Sequence, residues 1–260
     1  MEEMKMDFTQ RELMAVAGAR ELADGEVVVA GIGLPQVSTQ LAKMTHAPRI
    51  TQVMEIGVVD PSPIHASVGI ADPRAWLGAR YFGSFTDVLG TILHRGLVDV
   101  GFLSGLEVDQ YGNLNTTLVR TARGDRHING SGGGNDIASL AKRTIIIMRH
   151  EKRKLSEKVA YVTTPGFLQG GRSREEAGLR GAGPSRVITD KAVLGFDDST
   201  RKMKLISIHP GVSLDELINC TGFSLIIPER VETTPPPTPE QLRYIREVID
   251  SHRWYTGDEV

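Results

Sequence analysis

The sequence has little of several features that mark particular protein classes. Cys220 is the only cysteine among 260 residues, which excludes an internal disulfide and leaves no CxxC pattern for a metal. Aromatic residues make up 5% of the chain and the formal net charge is -2, so neither base stacking nor a basic field favours nucleic acid. No apolar run approaches the roughly 18 residues of a membrane span. We therefore predict a protein without a metal site that binds neither nucleic acid nor a membrane.

The remaining composition is that of an ordinary globular protein. Hydrophobic residues make up 40% of the chain and charged residues 24%, enough to bury a sizeable core. The first residues include acids where a signal peptide carries basic residues, which predicts a cytoplasmic location. We expect one domain over residues 1–228. Residues 229–260 then form a proline-rich spacer and a C-terminal helix that packs on the domain or on a partner.

Short β-branched runs alternate with amphipathic stretches along the chain. Such alternation predicts an α/β fold with an open, mostly parallel sheet flanked by helices. A hairpin turn over 196–200 predicts some antiparallel strands in the C-terminal part. The predicted strands cover 26–30, 50–54, 98–103, 143–148, 187–189 and 203–208, and the predicted helices cover 9–23, the stretch up to Lys43, 85–95, 135–142 and 240–249.

Glu55 is the one acid in the otherwise uncharged run from 50 to 59. Removing water from a carboxylate costs several kcal/mol unless donors or cations compensate. A poorly hydrated carboxylate can attack an acyl carbon and form a covalent intermediate, so Glu55 is a candidate nucleophile. The alternative is structural, because an acid that ends a strand often caps the next turn or pairs with a basic side chain.

Two glycine-rich loops are candidates for binding an anion or an oxyanion. Gly31-Ile32-Gly33 follows a strand and precedes a helix, where backbone amides can point at negative charge, although a plain tight turn explains it equally well. It is a poor dinucleotide fingerprint because Gln36 stands at the last glycine position. The second loop has glycine at four of the five positions 130–134, which exposes amides and leaves room for a ligand. The structural alternative is a flexible connection.

Two further segments are rich in polar groups. Residues 107–115 contain several amide and carboxyl side chains, which suits the orientation of a polar substrate or a self-capped turn. Residues 149–154 form a basic cluster in a chain of slightly acidic balance. This cluster is either a solvated face or a phosphate contact for an anionic ligand.

Together these segments resemble the beta subunit of the family I coenzyme A (CoA) transferases, most closely its glutaconate CoA-transferase branch. The resemblance covers most of the chain in ordered blocks. The blocks are Gly31-Ile32-Gly33-Leu34-Pro35, Glu55 with Gly57 and Asp60, residues 109–115, Gly130-Ser131-Gly132-Gly133, His150-Glu151-Lys152-Arg153, residues 161–166 and residues 187–191.

The resemblance implies an open α/β sheet of the CoA-transferase type and a covalent mechanism. In that family the glutamate that matches Glu55 attacks the acyl-CoA carbonyl and becomes an anhydride and then a glutamyl-CoA thioester. It further implies an oxyanion contact at Ile32 and Gly33, an acyl or CoA pocket at Gly132 and Gly133, and a substrate or glutamate contact at Asn115. No permanently bound cofactor is implied, since CoA enters as the acyl-CoA substrate. The implied partner is an alpha subunit, with the active site between the two subunits.

The residues after Glu55 bear on the substrate. The 3-oxoacid branch of the family typically has Asn-Gly after this acid, whereas Ile56-Gly57 follows here, which favours a dicarboxylic or related acid. One alternative is a CoA-ester hydrolase or lyase of the same fold, in which Glu55 acts as a general base for ring opening or decarboxylation. A more remote alternative is a non-catalytic nucleotide-binding module in which Glu55 holds a ribose hydroxyl.

Overall fold

The computed structural model describes residues 7–62 and 65–257 of the chain. It contains fifteen strands within these ranges. They are β1 Val27–Val29, β2 Thr51–Val53, β3 Val58–Val59, β4 Tyr81–Phe82, β5 Val100–Leu103, β6 Glu107–Asp109, β7 Leu114–Asn115, β8 Leu118–Thr121, β9 Gly124–His127, β10 Arg143–Ile147, β11 Leu155–Ser156, β12 Pro184–Ile188, β13 Ala192–Phe196, β14 Met203–Ile208 and β15 Glu232–Thr233.

The helices lie between and around these strands. The α-helices are α1 Gln10–Arg20, α2 Leu34–Met44, α3 Gly134–Leu140, α4 Ser173–Glu176, α5 Leu214–Asn219 and α6 Pro239–Arg243. Pro73–Trp76 forms a 3-10 turn, and Thr86–Leu93 and Tyr244–Ile249 are π-helical. Among the helices in the described ranges, none is both long enough and apolar enough to cross a membrane.

Ten strands form one twisted sheet in the order β15-β14-β13-β12-β10-β5-β1-β2-β3-β4. Its centre, from β12 to β2, is parallel. The hairpin β13-β14 is antiparallel, as are β3 and β4 at the opposite edge. The predicted α/β fold with a mostly parallel sheet and antiparallel strands in the C-terminal part is therefore confirmed.

Both faces of the parallel centre are buried, which explains the nearly continuous apolar runs of these strands. Along β10, Ile145 and Ile147 belong to the core beneath α1 and α2, whereas Ile146 belongs to the core on the opposite face. This alternation follows from the two-residue period of a strand. β5 is buried at all four positions for the same reason.

The capping signals of the first helix are confirmed, and the predicted boundaries differ by a few residues. Thr9 accepts a hydrogen bond from the backbone N–H of Glu12, whose side chain accepts one from the backbone of Thr9. The helix ends at Arg20 rather than at residue 23. The strand predicted over 50–54 ends at Val53, because the carbonyl of Met54 accepts a hydrogen bond from Gly57 N–H and closes a turn.

Sequence analysis did not identify the short strands outside the parallel centre. β3 and β4 extend the sheet edge, β6, β7 and β11 form a second small sheet, and β8 and β9 form a separate hairpin. The hairpin β8-β9 is largely exposed and polar, so it has no apolar alternation by which a pattern could detect it.

The C-terminal segment packs onto the first two helices. Ile245 and Ile249 are buried in the core beneath α1 and α2. Arg246 donates to the buried carboxylate of Glu12 at 2.7 Å, and Arg20 donates to the carbonyl of Pro235 in the proline-rich spacer. Burial alone would raise the pKa of Glu12, but the hydrogen bonds from Arg246 and from the backbone of Thr9 hold it below its usual value.

Candidate active site

Glu55 lies on a tight turn between β2 and β3. The turn runs from Met54 to Gly57 and is closed by a hydrogen bond of 3.0 Å from Gly57 N–H to the Met54 carbonyl. Gly57 has a φ of 109°, and a Cβ added there would clash with the carbonyl of Gly83. The turn is thus locked against the segment after β4, and it holds Glu55 at the carboxyl end of a central strand. Glu55 itself is half-buried.

The carboxylate of Glu55 lies directly against Gly133. A Cβ added to Gly133 would be 2.5 Å from Glu55 Oε2 and 3.3 Å from the side chain of Leu89. Gly133 has an ordinary φ of -77° and caps the N-terminus of α3. A larger residue here would therefore displace the carboxylate, and it is the space that the carboxylate occupies, rather than the backbone conformation, that favours glycine.

Glu55 and the second glycine loop line one cleft of about 220 Å³. Its floor is formed by the ends of β1 and β5, and its walls by the turn of Glu55 and the loop before α3. We call it the Glu55 cleft. The residues that line it are Val29, Ala30, Gly31, Met54, Glu55, Ile56, Ile70, Phe102, Leu103, Ser104, Ser131, Gly132, Gly133, Gly134 and Ile137.

The two glycine loops carry backbone N–H groups at the N-termini of α2 and α3. The N–H groups of Gly132 and Gly133 donate to no backbone acceptor in the described residues. The same holds, over the same part of the chain, for Ile32 and Gly33 at the N-terminus of α2. Gly33 caps that helix with a φ of 99°, a conformation that favours glycine. Free amides at a helix N-terminus stabilise negative charge.

The residues of the first glycine loop lie at different places around the site, and the predicted oxyanion contact of Ile32 and Gly33 stays a prediction. Gly31 lines the Glu55 cleft, whereas Ile32 lines a neighbouring cleft and Gly33 lines neither. Ile32 also packs on the apolar cluster around Met54. Of the predicted site residues, Glu55, Gly132 and Gly133 therefore share one cleft, and the Ile32 and Gly33 amides lie beyond its Gly31 wall.

Asn115 is fully buried, and its side chain makes four hydrogen bonds within its own region. Its amide donates to Glu107 and to the carbonyl of Leu118, and its oxygen accepts from the N–H groups of Thr117 and Leu118. It lines neither cleft. The predicted contact of Asn115 with substrate or glutamate stays a prediction, and the hydrogen bonds show that this residue shapes the loop.

The start of the same polar segment is also a self-capped turn. Asp109 accepts hydrogen bonds from the N–H of Tyr111 and from the backbone and side chain of Asn113. Burial raises the pKa of Asp109 even though these hydrogen bonds act to lower it. This bonding agrees with the structural alternative that the sequence left open for residues 107–115.

A second, larger cleft of about 720 Å³ adjoins the first. We call it the second cleft. The two share Gly31, Phe102, Leu103 and Ser104. Its remaining lining comes from the start of α1, the start of α2, the segment after β5, the end of β10 with the segment after it, the segment after β12 and the C-terminal segment: Thr9, Gln10, Arg11, Met14, Ile32, Leu34, Pro35, Gly105, Ile147, Met148, Arg149, Lys154, Asp190, Tyr255 and Gly257.

The basic cluster at 149–154 divides between this cleft and the surface. Arg149 and Lys154 line the second cleft, while Arg153 is exposed and pairs with Glu151 at 2.6 Å. The intervening His150 is buried and bonds to Thr189 and Thr221. The basic cluster is therefore neither uniformly exposed to solvent nor gathered as a whole into one phosphate contact.

Sequence analysis missed Ile70, Ser104 and Ser131 of the Glu55 cleft. Ile70 comes from the long connection between β3 and β4, which carries no periodic signal. Ser104 directly follows β5, and a small polar residue at the carboxyl end of a buried parallel strand is the signal that would have found it. Ser131 lies inside the glycine loop, where the glycines were singled out and the serine was not.

The comparisons with known proteins agree with this architecture. The family model described as Coenzyme A transferase matches residues 11–219. The chain belongs to the coenzyme A transferase family. It is 36% identical over 257 residues to the beta subunit of glutaconate CoA-transferase from Acidaminococcus fermentans, covering 94% of this chain and 93% of that one. The predicted family is thus confirmed.

Two further comparisons place the chain among the beta subunits of this family. It is 32% identical over 240 residues to the beta subunit of 3-oxoadipate CoA-transferase from Pseudomonas knackmussii, with 92% of each chain covered. It superposes on the crystal structure of the Acidaminococcus fermentans glutaconate CoA-transferase with a TM-score of 0.88 and 34% identity, covering 97% of this chain and 99% of that one. This coenzyme A transferase chain is therefore of the beta-subunit type.

Proposed function

We propose that this chain is the beta subunit of a coenzyme A transferase that moves CoA between a dicarboxylic or related acyl-CoA and an acid acceptor, with Glu55 as the nucleophile. The observation that carries the proposal is the placement of the Glu55 carboxylate in a cleft, against Gly133 and beside the amides of the glycine loop. A nucleophile held in a site with preorganised donors is the arrangement that acyl transfer requires.

The proposed reaction is a series of acyl exchanges. A Glu55 oxygen attacks the thioester carbonyl of the donor and expels CoA as its thiolate, which leaves a mixed anhydride. The thiolate then attacks the glutamyl carbonyl, so that Glu55 becomes a CoA thioester and the donor acid leaves as its carboxylate. The acceptor carboxylate attacks this thioester, and the released thiolate takes the acceptor's acyl group from the new anhydride and restores Glu55.

Each of these steps passes through a tetrahedral intermediate with an oxyanion. We assign its stabilisation first to the backbone N–H groups of Gly132 and Gly133, which line the Glu55 cleft, and second to those of Ile32 and Gly33, which adjoin the cleft beyond Gly31. One donor of this kind contributes about 2.7 to 4 kcal/mol in comparable sites. Asn115 supports the reaction through the shape of its loop. The sequence of exchanges transfers no electrons and needs no permanently bound cofactor, because CoA enters as the substrate.

We further propose that an alpha subunit covers the sheet edge beside Glu55. Tyr81 and Phe82 are consecutive residues of β4, the edge strand, and 51% and 62% of their surfaces are exposed. Consecutive strand residues point to opposite faces, so both faces of this edge are uncovered. Ile70, which lines the Glu55 cleft, is exposed as well. Exposed apolar surface that continues into the site is typical of a subunit interface.

The covalent step is tested by trapping the thioester. The complex of this chain with its alpha subunit is incubated with glutaryl-CoA or acetyl-CoA, treated with borohydride and analysed by intact mass and peptide mapping. We expect reduction of Glu55 to an alcohol in the wild type and no change in Glu55→Gln, which keeps the shape of the side chain but lacks the carboxylate. CoA release over a panel of acyl-CoAs with no change at Glu55 would instead assign the chain to the hydrolases or lyases of this fold.

A further inference from the structure

The second cleft is placed to receive part of a molecule that reacts at Glu55. It meets the Glu55 cleft along Gly31, Phe102, Leu103 and Ser104, so one ligand can occupy both. Both clefts open at the carboxyl ends of the parallel strands β1 and β5. The strand order reverses at this point, because β1 has β2 on one side and β5 on the other. In open α/β sheets, ligands bind at such a reversal of strand order.

The charge of the second cleft is predominantly positive. Arg11, Arg149 and Lys154 line it, and Asp190 is the only acid in its described lining. Asp190 accepts a hydrogen bond of 2.6 Å from the backbone N–H of His150. The side chain of Lys154 is 26% exposed, and its ammonium lies 3.3 Å from Glu151, which is not part of the cleft lining. Cationic groups gathered in a concave, partly desolvated site favour an anionic ligand.

We infer that the second cleft is an anion subsite, in which Arg149 and Lys154 hold a negatively charged group of a substrate whose reacting carbonyl lies at Glu55. The group is either the distal carboxylate of a dicarboxylic acid or a phosphate of CoA, since both present anionic oxygens to the same cations. The inference rests on the proposed function, because it assigns a role to the part of the substrate that does not react.

Steady-state kinetics of the alpha-beta complex separate the two sources. Acetyl-CoA serves as donor, and glutarate and pentanoate serve as acceptors of equal carbon number with and without a distal carboxylate. The variants are Lys154→Met and Arg149→Met, which remove one charge each and keep an aliphatic side chain. Arg230→Met, an exposed arginine beside β15 at the opposite edge of the sheet, is the control.

A distal-carboxylate subsite raises the KM for glutarate roughly tenfold in the two variants, the equivalent of one charged hydrogen bond, and leaves pentanoate and acetyl-CoA unchanged. A phosphate subsite raises the KM for acetyl-CoA by a similar factor and leaves glutarate unchanged. Acetyl-3′-dephospho-CoA then tells which phosphate is held. The inference is overturned when neither variant changes the KM for glutarate or the KM for acetyl-CoA, or when the KM for pentanoate rises as much as the KM for glutarate.

A binding measurement keeps this test separate from the proposed function. Calorimetric titration of the complex with glutarate and with adenosine 3′,5′-bisphosphate reports anion binding without turnover. We expect Lys154→Met and Arg149→Met to weaken one of these ligands roughly tenfold and Arg230→Met to weaken neither. If CoA transfer fails while anion binding is intact, only the proposed role of Glu55 is contradicted. If transfer occurs but neither variant changes anion binding, only the proposed subsite is contradicted.

Discussion

The carboxylate of Glu55 occupies the space that a side chain at Gly133 would fill. The two residues are 78 positions apart in the sequence, and Oε2 of the glutamate lies 2.5 Å from where a Cβ would stand. This contact brings the carboxylate beside the N-terminus of α3. The position of the Glu55 carboxylate therefore depends on the absence of a single methyl group.

Gly133→Ala tests this dependence. The added methyl displaces the Glu55 carboxylate, and because a misplacement of about 1 Å costs on the order of 10²-fold in rate, we expect kcat to fall by about that factor. The φ of -77° at this position accommodates alanine, so the thermal unfolding midpoint should change little. Gly130→Ala is the matched control, since a Cβ in the same loop there meets nothing within 4 Å. Wild-type kcat in Gly133→Ala would show that the carboxylate is not held by this contact.

Gly57→Ala tests the lock on the turn. The substitution combines an unfavourable positive φ with a clash against the carbonyl of Gly83, and we expect a loss of roughly 3 kcal/mol or more in the free energy of unfolding. Gly96→Ala shares the positive φ but has open space around the added Cβ, so it should cost only about 1 to 2 kcal/mol. Chemical denaturation of the two variants measures the difference. Equal losses would mean that backbone conformation alone requires glycine at 57.

Stability is expected to fall in mild acid because two histidines are buried. Burial lowers the pKa of both His150 and His209 to about 4, and both rings bond to Thr189. Between the ordinary pKa of about 6.5 and this value, the unfolded chain binds protons that the folded chain does not, so folding weakens as the pH falls. The contribution is fully present above pH 6.5 and is lost toward pH 4, at up to about 1.4 kcal/mol per pH unit for each histidine.

Unfolding measured between pH 7.5 and 4.5 checks this dependence. His209→Gln should reduce the slope between pH 6.5 and 4.5, because the folded chain then lacks one of the two buried rings. A stability that does not vary with pH over this range would show that the two rings are not held neutral in the folded chain.

The exposed edge strand predicts where subunit assembly is sensitive. Phe82→Ser removes the most exposed aromatic side chain of β4, and the affinity for the alpha subunit should fall roughly 10- to 100-fold, as for an interface anchor. Ile227→Ser, an exposed apolar residue in a segment next to β14, is the control and should leave the affinity unchanged. Biosensor titration with the alpha subunit measures both. An unchanged affinity in Phe82→Ser would place the interface elsewhere.

The sequence predicted the parallel core because its strands are buried on both faces and read as short apolar runs between helices. It also singled out Glu55 and Gly133, the first as an isolated acid and the second as part of a glycine loop. It did not predict their contact, which depends on the spatial order of β2, β1 and β5. Spatial order is a property of the whole sheet and leaves no trace in either segment.

The parts that sequence analysis missed have a different cause. β3, β4, β8 and β9 are short or exposed, and an exposed strand is under no requirement to alternate apolar and polar residues. The surroundings of Asn115 were not predicted either. Its full burial and its four hydrogen bonds to residues 107, 117 and 118 depend on how the loop folds back on itself, which the local sequence does not reveal.

The pairing of Glu12 with Arg246 has a consequence for the order in which the fold is completed. Glu12 is fully buried within α1, and its cationic partner Arg246 follows it by 234 positions in the sequence. A buried carboxylate without a cation is strongly unfavourable, so α1 reaches its final environment only when the segment that carries Arg246 packs onto it. The face of the sheet over β1 and β10 therefore stays open during folding until two segments from distant parts of the sequence have met there.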